Sequence, residues 1–194
     1  MRTFRRICVY CGSSNAVSAR YLDAAEAVGA ALARRGVGVV YGGGKVGLMG
    51  RVANGALAAG GQVIGVIPDR LQDLEVGHPD LTELYVVDSM HARKMMMAQL
   101  SDAFIAMPGG FGTLEELAEV TTWTQLNYHR KPVGLLNLNG YYDPLLAWVQ
   151  RAIDDGFIRP QHRDLLTSAT ELDALLEILA TVEIPELTQW LRRP

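Results

Sequence analysis

The sequence predicts an α/β fold, in which a parallel sheet carries helices on both of its faces. Short apolar runs alternate with amphipathic stretches, the runs are apolar throughout, and neither a Ser- or Pro-rich linker nor an internal repeat interrupts the pattern. Such an alternation favours parallel strands joined by helical crossovers. Strands that are apolar at every position are typical of a sheet that is buried on both faces.

Six strands and six helices follow from this pattern, in chain order. The predicted strands are 7–10, 38–41, 63–67, 83–87, 103–107 and 133–137. The predicted helices are 18–35, 48–59, 89–101, 114–128, 144–155 and 170–181. We expect residues 1–194 to form one domain. The tail 183–194 is compatible with a short amphipathic helix that docks on the body or on a partner.

Composition and charge exclude several classes of protein. The chain has 194 residues, of which 49% are hydrophobic and 20% charged, so it is neither disordered nor fibrous. A net charge of −3 provides no general basic field to hold nucleic acid or a membrane surface. The basic start, 1–6, precedes too few apolar residues for a signal peptide, and no apolar run approaches a membrane span. We therefore expect a cytoplasmic protein with neither nucleic acid nor a membrane as partner.

The two cysteines, Cys8 and Cys11, form a C-x-x-C motif that is compatible with redox or metal chemistry. They lie in or just after an apolar run, whereas a redox pair normally occupies a turn between a strand and a helix. A structural zinc site needs a second pair of ligands, and the four histidines are scattered along the chain. We therefore expect two buried free thiols.

Gly-rich turns follow three of the predicted strands, at 11–14, 42–50 and 108–113. Ligands bind beyond the carboxyl ends of strands in sheets of this type. Glycine lets the backbone approach a ligand closely, and helices that begin there direct unpaired N–H groups at the same space. The sequence therefore predicts an anion site at this edge, with Ser14, Gly43 and Gly44 among the substrate-binding candidates.

The second of these turns matches the dinucleotide motif G-x-G-x-x-G over residues 42–47. Asp69 follows near the spacing expected of a ribose-binding acid. The motif follows the second predicted strand instead of the first, however, and no G-K-[ST] closes it as in a P-loop. A dinucleotide oxidoreductase is therefore a weaker alternative. Schiff-base chemistry at Lys45, Lys94 or Lys131 lacks a surrounding pyridoxal phosphate motif.

The third turn runs directly into a predicted helix and allows two interpretations. Thr113 is a suitable N-cap, and Glu116 three residues later completes a capping box, which is a purely structural role. Alternatively, the turn holds a phosphate, with Glu115 and Glu116 beside it. Backbone N–H groups and a hydroxyl would then come from Gly109, Gly110, Gly112 and Thr113.

Two basic residues, Arg93 and Lys94, fall in the first turn of the helix predicted at 89–101. Cations at a helix N-terminus oppose the helix dipole. Their position indicates that they interact with an anion, for instance one shared with the turn at 108–113. The simpler alternative is a solvated helix face.

Together, the segments 108–116 and 90–94 resemble the Lonely Guy (LOG) family of cytokinin riboside 5′-monophosphate phosphoribohydrolases, long mislabelled as lysine decarboxylases. The turns 11–14 and 42–50 and the segment 122–126 are also similar, and the resemblance covers about 6–155. It implies a Rossmann-like fold and hydrolysis of the N-glycosidic bond of AMP or an N6-modified AMP. The products are the free base and ribose 5-phosphate, and no metal or other cofactor is required.

The resemblance also assigns roles to residues of this sequence. Arg93 and Glu116 take the catalytic positions, and Lys94 and Glu115 line the nucleotide pocket. The carboxylate of Glu116 would stabilise positive charge on the ribose, as in other glycosyl hydrolyses. Further substrate-binding positions fall on Glu75, Gly109, Gly110, Gly112, Thr113 and Thr122. Short members of the family imply a homodimer whose pocket lies near the subunit boundary.

A second class of function stays open at this point. Non-catalytic carriers of a nucleotide or of the molybdenum cofactor are similar in their Gly-rich turns. A pure binder does not need Arg93 together with Glu116, and this pair therefore favours an enzyme.

Overall fold

The computed structural model describes residues 1–75 and 77–185, without the side chains of 73–75. In this part of the chain the strands are β1 (Arg6–Tyr10), β2 (Gly38–Tyr41), β3 (Val63–Pro68), β4 (Glu83–Val87), β5 (Ala103–Ala106), β6 (Val133–Leu136) and β7 (Leu166–Ala169). The helices are α1 (Ala19–Arg34), α2 (Gly47–Ala58), α3 (Asp69–Glu75), α4 (Met90–Leu100), α5 (Phe111–Gln125), α6 (Asp143–Asp154) and α7 (Leu172–Thr181). Two 3₁₀ helices cover Leu138–Gly140 and Pro160–Leu165.

All described strands form one parallel sheet in the order β4-β3-β2-β1-β5-β6-β7. Ile7 in the central strand pairs with Val39 on one side and with Ala103 on the other. The chain therefore winds outwards from β1 to β4 and then returns to place β5 against β1. This reversal creates a topological switch point between β1 and β5, where ligands bind in open α/β sheets. The predicted Rossmann-like α/β fold is confirmed.

Side chains of β1 alternate between two hydrophobic layers. Ile7 and Val9 pack with α1, α2 and α7, whereas Cys8 and Tyr10 pack with α4, α5 and α6. Helices therefore cover both faces of the sheet, as predicted.

The two cysteines lie on opposite sides of the sheet, with Cys8 in the layer of α4, α5 and α6 and Cys11 in the layer of α1, α2 and α7. Both are buried and free, which confirms the prediction, and burial raises the pKa of each thiol well above its ordinary value.

The six predicted strands are present, but two features of the sheet differ from the expectation. The edge strand β4 is largely exposed, so the prediction of strands buried on both faces is wrong there. The opposite edge strand, β7, was not predicted because its residues, Leu-Thr-Ser-Ala, are short, mixed in polarity and only half-buried. Helix α3 was also missed, since its seven residues carry four charges and only two leucines.

Glycines set the close packing of α1 against α2, the helices that follow the first two Gly-rich turns. A Cβ atom at Gly29 would overlap the carbonyl oxygen of Val52, and one at Gly55 would overlap that of Glu26. The two helix backbones therefore touch directly. This contact fixes the positions of the turns from which the helices begin.

The end of the described chain returns to the body of the protein. Ile184 is buried, and its carbonyl accepts a hydrogen bond of 3.0 Å from Arg130. The predicted tail helix falls mainly on 186–194, which lie outside the described residues. Among the described helices, none combines the length and apolar character that crossing a membrane requires.

Candidate active site

The three Gly-rich turns lie side by side at the carboxyl edge of the sheet. The N–H of Gly12 donates to the carbonyl of Pro108 at 3.0 Å, and the N–H of Leu48 donates to the carbonyl of Gly12 at 2.9 Å. The N–H of Gly47 donates to Asn15 Oδ1 at 2.8 Å. Gly47 has φ of 59° and lies against the backbone of Ser13, so a side chain there would be both strained and obstructed. Backbone bonds therefore join the turns into a single floor.

Helix α5 begins earlier than predicted, and this rules out the capping box. Its N-cap is Gly110, and Thr113 is the third helical residue, with no side-chain cap. Thr113 is buried beneath Gly109, where a Cβ atom would overlap the threonine hydroxyl. Glu115 and Glu116 consequently lie in the second turn instead of the first. Open space surrounds Gly110 and Gly112, which leaves the N–H groups of the first turn accessible to an anion.

Arg93 extends from α4 across the carboxyl ends of β2 and β3. Its Nε donates to the carbonyl of Val66 at 3.1 Å, and its Nη2 donates to the carbonyl of Gly42 at 2.9 Å. A Cβ atom at Gly42 would occupy the position of the guanidinium. Glycine at position 42 therefore makes room for Arg93, which is buried with its charge directed towards α5.

The guanidinium of Arg93 faces the carboxylate of Glu116, with 3.9 Å between Nη1 and Oε1. Both side chains are about nine-tenths buried. Burial raises the pKa of Glu116 to about 7; Arg93 opposes this rise, and the neighbouring Glu115 adds to it. The carboxyl group thus titrates near neutral pH, as is common for groups that exchange protons in catalysis.

Lys94, the next residue on α4, pairs with two carboxylates of α5. Its ammonium contacts Glu115 and lies 3.0 Å from Glu119 Oε2. Burial lowers the pKa of Lys94, but the hydrogen bonds to the two carboxylates outweigh it, so the pKa is raised. The burial and pairing of Arg93 and Lys94 exclude the solvated-face alternative. Their partners here are carboxylates of α5, and the anion shared with the turn at 108–113 stays a prediction. Glu119 was not predicted; the available signal is its position one helical turn after Glu115.

These five side chains carry an excess of negative charge. When Glu116 is ionised, the cluster contains two cations, Arg93 and Lys94, and three carboxylates, so its net charge is negative. The cluster therefore repels a phosphate group and attracts developing positive charge. An anion is better accommodated at the first turn of α5, where backbone N–H groups are exposed.

Two tyrosines that the sequence patterns did not predict as site residues support the third turn. The hydroxyl of Tyr141 donates to the carbonyl of Gly109 at 2.5 Å, and that of Tyr142 donates to the carbonyl of Met107 at 2.6 Å. Both follow a 3₁₀ helix that comes after β6, which brings a third element to the switch point. A Gly-Tyr-Tyr sequence after a strand gives only a weak signal of this role.

Other predicted site residues lie around this centre. Gly43 has φ of 80°, and its carbonyl accepts a hydrogen bond of 3.1 Å from the N–H of His78. Gly44 forms a bridge with Gly77. Ser14 is exposed, and its hydroxyl accepts a hydrogen bond from the N–H of Ala16. Thr122 lines an apolar groove between α5 and α6. The side chain of Glu75 lies outside the described residues.

Metal ligands do not gather at this site. Across the described ranges, no three side chains of His, Cys, Asp or Glu lie close enough together to hold an ion.

Comparison with known proteins decides the family. A family profile described as possible lysine decarboxylase matches residues 49–179. A protein of Oryza sativa subsp. japonica, named probable cytokinin riboside 5′-monophosphate phosphoribohydrolase LOGL9, is 54% identical over 176 residues, which cover 91% of this chain and 78% of that protein. The chain belongs to the LOG family. The resemblance predicted from the sequence is thus confirmed.

A second LOG relative and two solved structures extend the comparison. Cytokinin riboside 5′-monophosphate phosphoribohydrolase LOG7 of Arabidopsis thaliana is 48% identical, over 96% of this chain and 85% of its own. The molybdenum cofactor binding protein of Rippkaea orientalis has a TM-score of 0.68 at 27% identity, covering 92% of this chain and 96% of its own. The molybdenum cofactor carrier protein of Chlamydomonas reinhardtii has a TM-score of 0.67 at 24% identity, covering 91% and 98%, and shares the fold.

Proposed function

We propose that this LOG family member hydrolyses the N-glycosidic bond of AMP or of N6-modified cytokinin riboside 5′-monophosphates. The products are the free adenine-type base and ribose 5-phosphate. The observation that carries the proposal is the buried Arg93–Glu116 pair, 3.9 Å apart, beside the open first turn of α5. The relatives in Oryza sativa and Arabidopsis thaliana are named for this activity, which supports it.

The phosphate lies at the N-terminus of α5 in this proposal. Backbone N–H groups there are exposed, and the helix dipole favours negative charge. The cluster of two cations and three carboxylates on α4 and α5 carries excess negative charge, which keeps the phosphate at the N-terminus of α5. The ribose is thereby oriented towards Glu116. Binding energy from the remote phosphate then positions the anomeric carbon for reaction. The residues assigned to this subsite are Gly109, Gly110, Gly112 and Thr113, with Ser14, Gly43 and Gly44 on the adjoining turns.

Glu116 acts on the anomeric carbon and on water. As the C1′–N9 bond breaks, its electron pair leaves with the base, and the ribose acquires oxocarbenium character that a carboxylate stabilises. Water then forms the new C1′–O bond and gives a proton to Glu116. Glu116 passes a proton on to the departing base, which returns its carboxylate to the ionised form. Arg93 favours the ionised form of Glu116, which burial alone would suppress. Protein and water supply every group in this sequence of steps.

Release of adenine tests the proposal. The protein is incubated with AMP, and chromatography measures free adenine against time. We expect turnover by the wild type and a loss of at least about 100-fold in Glu116→Gln and Arg93→Ala, consistent with the size of acid–base contributions. Near-normal turnover in either variant would remove that residue from the catalytic role.

A carrier function is the second candidate, favoured by the fold shared with molybdenum cofactor proteins. Recovery of intact AMP from a stable complex, with no adenine after prolonged incubation, would support a carrier and contradict hydrolysis. The buried Arg93–Glu116 pair favours the enzyme, since binding alone gives no reason to bury a carboxylate beside the ligand.

We further propose that the chain forms a homodimer in the cytoplasm. An apolar groove of about 600 Å³ lies between α5 and α6, bordered by Leu114 and by Trp148, which is 63% exposed. A second copy covering this groove would bury these side chains next to the site. Light scattering should give a dimer mass for the wild type and a monomer mass for Trp148→Glu. An unchanged mass in the variant would exclude the groove between α5 and α6 as the dimer interface.

The two buried free thiols are the observation that supports a cytoplasmic location, because free thiols are typical of a reducing compartment.

A further inference from the structure

The Lys94 ammonium is held by two carboxylates in different surroundings. Glu115 and Glu119 lie four residues apart on α5, and both therefore face Lys94 on the neighbouring helix. The side chain of Glu115 is 54% exposed, that of Glu119 is 25% exposed and that of Lys94 is 7% exposed. The ammonium thus lies between one carboxylate that is largely exposed and one that is largely shielded from solvent.

The two pairs differ in what it costs to separate them. Glu119 Oε2 is shielded from solvent, and the Lys94 ammonium 3.0 Å away is its ionic partner among the described residues. Separating this pair would leave a solvent-shielded carboxylate oxygen without its counterion, which is destabilising. Glu115 can turn to water or to a ligand at small cost, because exposed ion pairs contribute little to stability.

We propose that Glu119 is a positioning residue: it holds Lys94 permanently and thereby releases Glu115 to contact the bound nucleotide. This inference rests on the proposed function, because it assigns Glu115 to a ligand of that site. With Glu119 in place, Glu115 can leave the ammonium and meet the ribose hydroxyls next to Glu116. Without it, Glu115 is the remaining counterion of a buried charge and is withheld from the ligand.

Steady-state kinetics with AMP give the first test. For Glu119→Gln we expect KM to rise on the order of tenfold, with kcat changed less than threefold, because ligand binding must then strip Lys94 of its remaining carboxylate. Glu26→Gln, which removes an exposed pair with Arg51 between α1 and α2, is the matched control and should leave both constants unchanged. An unchanged KM in Glu119→Gln, or a fall in kcat alone, would overturn the proposal.

Chemical labelling gives a second test that does not depend on catalysis. The chain has three lysines, and an amine-reactive reagent followed by mass spectrometry reports on each of them. Exposed Lys45 should react rapidly in every variant and serves as the internal standard. Lys94 should stay protected in the wild type and in Glu115→Gln, and should react faster in Glu119→Gln, where the exposed Glu115 is its one remaining carboxylate among the described residues. Equal protection in all three would overturn the positioning role, whereas absence of adenine release by the wild type would contradict only the proposed function.

Discussion

Glu116 Oε1 of α5 lies 3.9 Å from Arg93 Nη1 of α4, and both side chains are about nine-tenths buried. The sheet fixes this relationship, because the carbonyls of Gly42, just after β2, and of Val66, within β3, accept hydrogen bonds from the guanidinium and direct it towards α5. The arginine moderates the effect of burial on the glutamate and leaves a carboxyl group with a pKa of about 7.

The pKa of Glu116 predicts how activity depends on pH. If the carboxylate is the catalytic form, kcat/KM for AMP should rise about tenfold per pH unit below pH 7 and level off above it. Initial rates between pH 5 and 9, measured as adenine release, check this. An acid limb centred near pH 4.5 would mean that the site does not perturb this group.

Stability should change with pH in the opposite direction. The folded protein binds the Glu116 proton more tightly than the unfolded chain does, so this stabilisation is complete below about pH 4.5 and is lost as pH rises through 7. The shift corresponds to a loss of at most about 3 kcal/mol. Urea unfolding at several pH values should show this decline in the wild type and a smaller one in Glu116→Gln. Identical pH profiles for the two proteins would contradict the raised pKa.

Gly42→Ala should displace Arg93, because the added methyl group takes the place of the guanidinium. We expect a loss of adenine release comparable to that of Arg93→Ala. The double variant Gly42→Ala/Arg93→Ala should be no less active than Arg93→Ala alone, since both changes remove the same interaction. Losses that multiply in the double variant would show that Gly42 acts by another route.

Two adjacent glycines of the third turn should respond differently to substitution. At Gly109 a methyl group overlaps the Thr113 hydroxyl and approaches the Gly12 backbone, whereas at Gly110 it meets open space. Gly109→Ala should destabilise the protein by about 1–3 kcal/mol, and Gly110→Ala should leave the free energy of unfolding nearly unchanged. Denaturant titrations compare the two, and equal destabilisation would indicate that the turn is less closely packed than described.

Tyr141→Phe removes the hydrogen bond to the Gly109 carbonyl and nothing else from the ring. We expect a few-fold increase in KM for AMP with kcat nearly constant, since the hydroxyl supports the turn without facing the reacting bond. Tyr142→Phe, which removes the buried bond to Met107, should instead lower the unfolding free energy by about 1 kcal/mol. A decrease in kcat as the main effect of Tyr141→Phe would place this hydroxyl closer to the chemistry.

Local sequence patterns predicted those parts of the molecule that depend on local chemistry. Continuous apolar runs marked the buried strands, and the three Gly-rich turns marked the edge at which they meet. The occurrence of Arg93 and Lys94 near the start of a helix, where cations oppose the helix dipole, indicated that they have charged partners. The predicted start of α5 was three residues too late. Thr113 is a residue type that often caps a helix, but the actual N-cap is Gly110, three residues earlier.

Features that depend on tertiary packing could not be found in this way. Nothing near Gly42 indicates that an arginine from a helix about fifty residues later will occupy its Cβ position. Glu119 acquires its role only from the neighbouring α4, and Tyr141 only from the crossover that brings β6 beside β5. The exposure of β4 likewise reflects its place at the edge of the sheet, which its apolar composition does not reveal.

Cys8 in β1 and Cys11 just after it lie in hydrophobic layers on opposite sides of the sheet, which has a practical consequence. An intact strand separates the two sulfurs, so an oxidant cannot join them while the sheet persists, and neither is accessible to alkylation in the native state. Both become available together once the central strand is released. Uptake of a thiol-specific dye by Cys8 therefore measures opening of the central strand of this sheet.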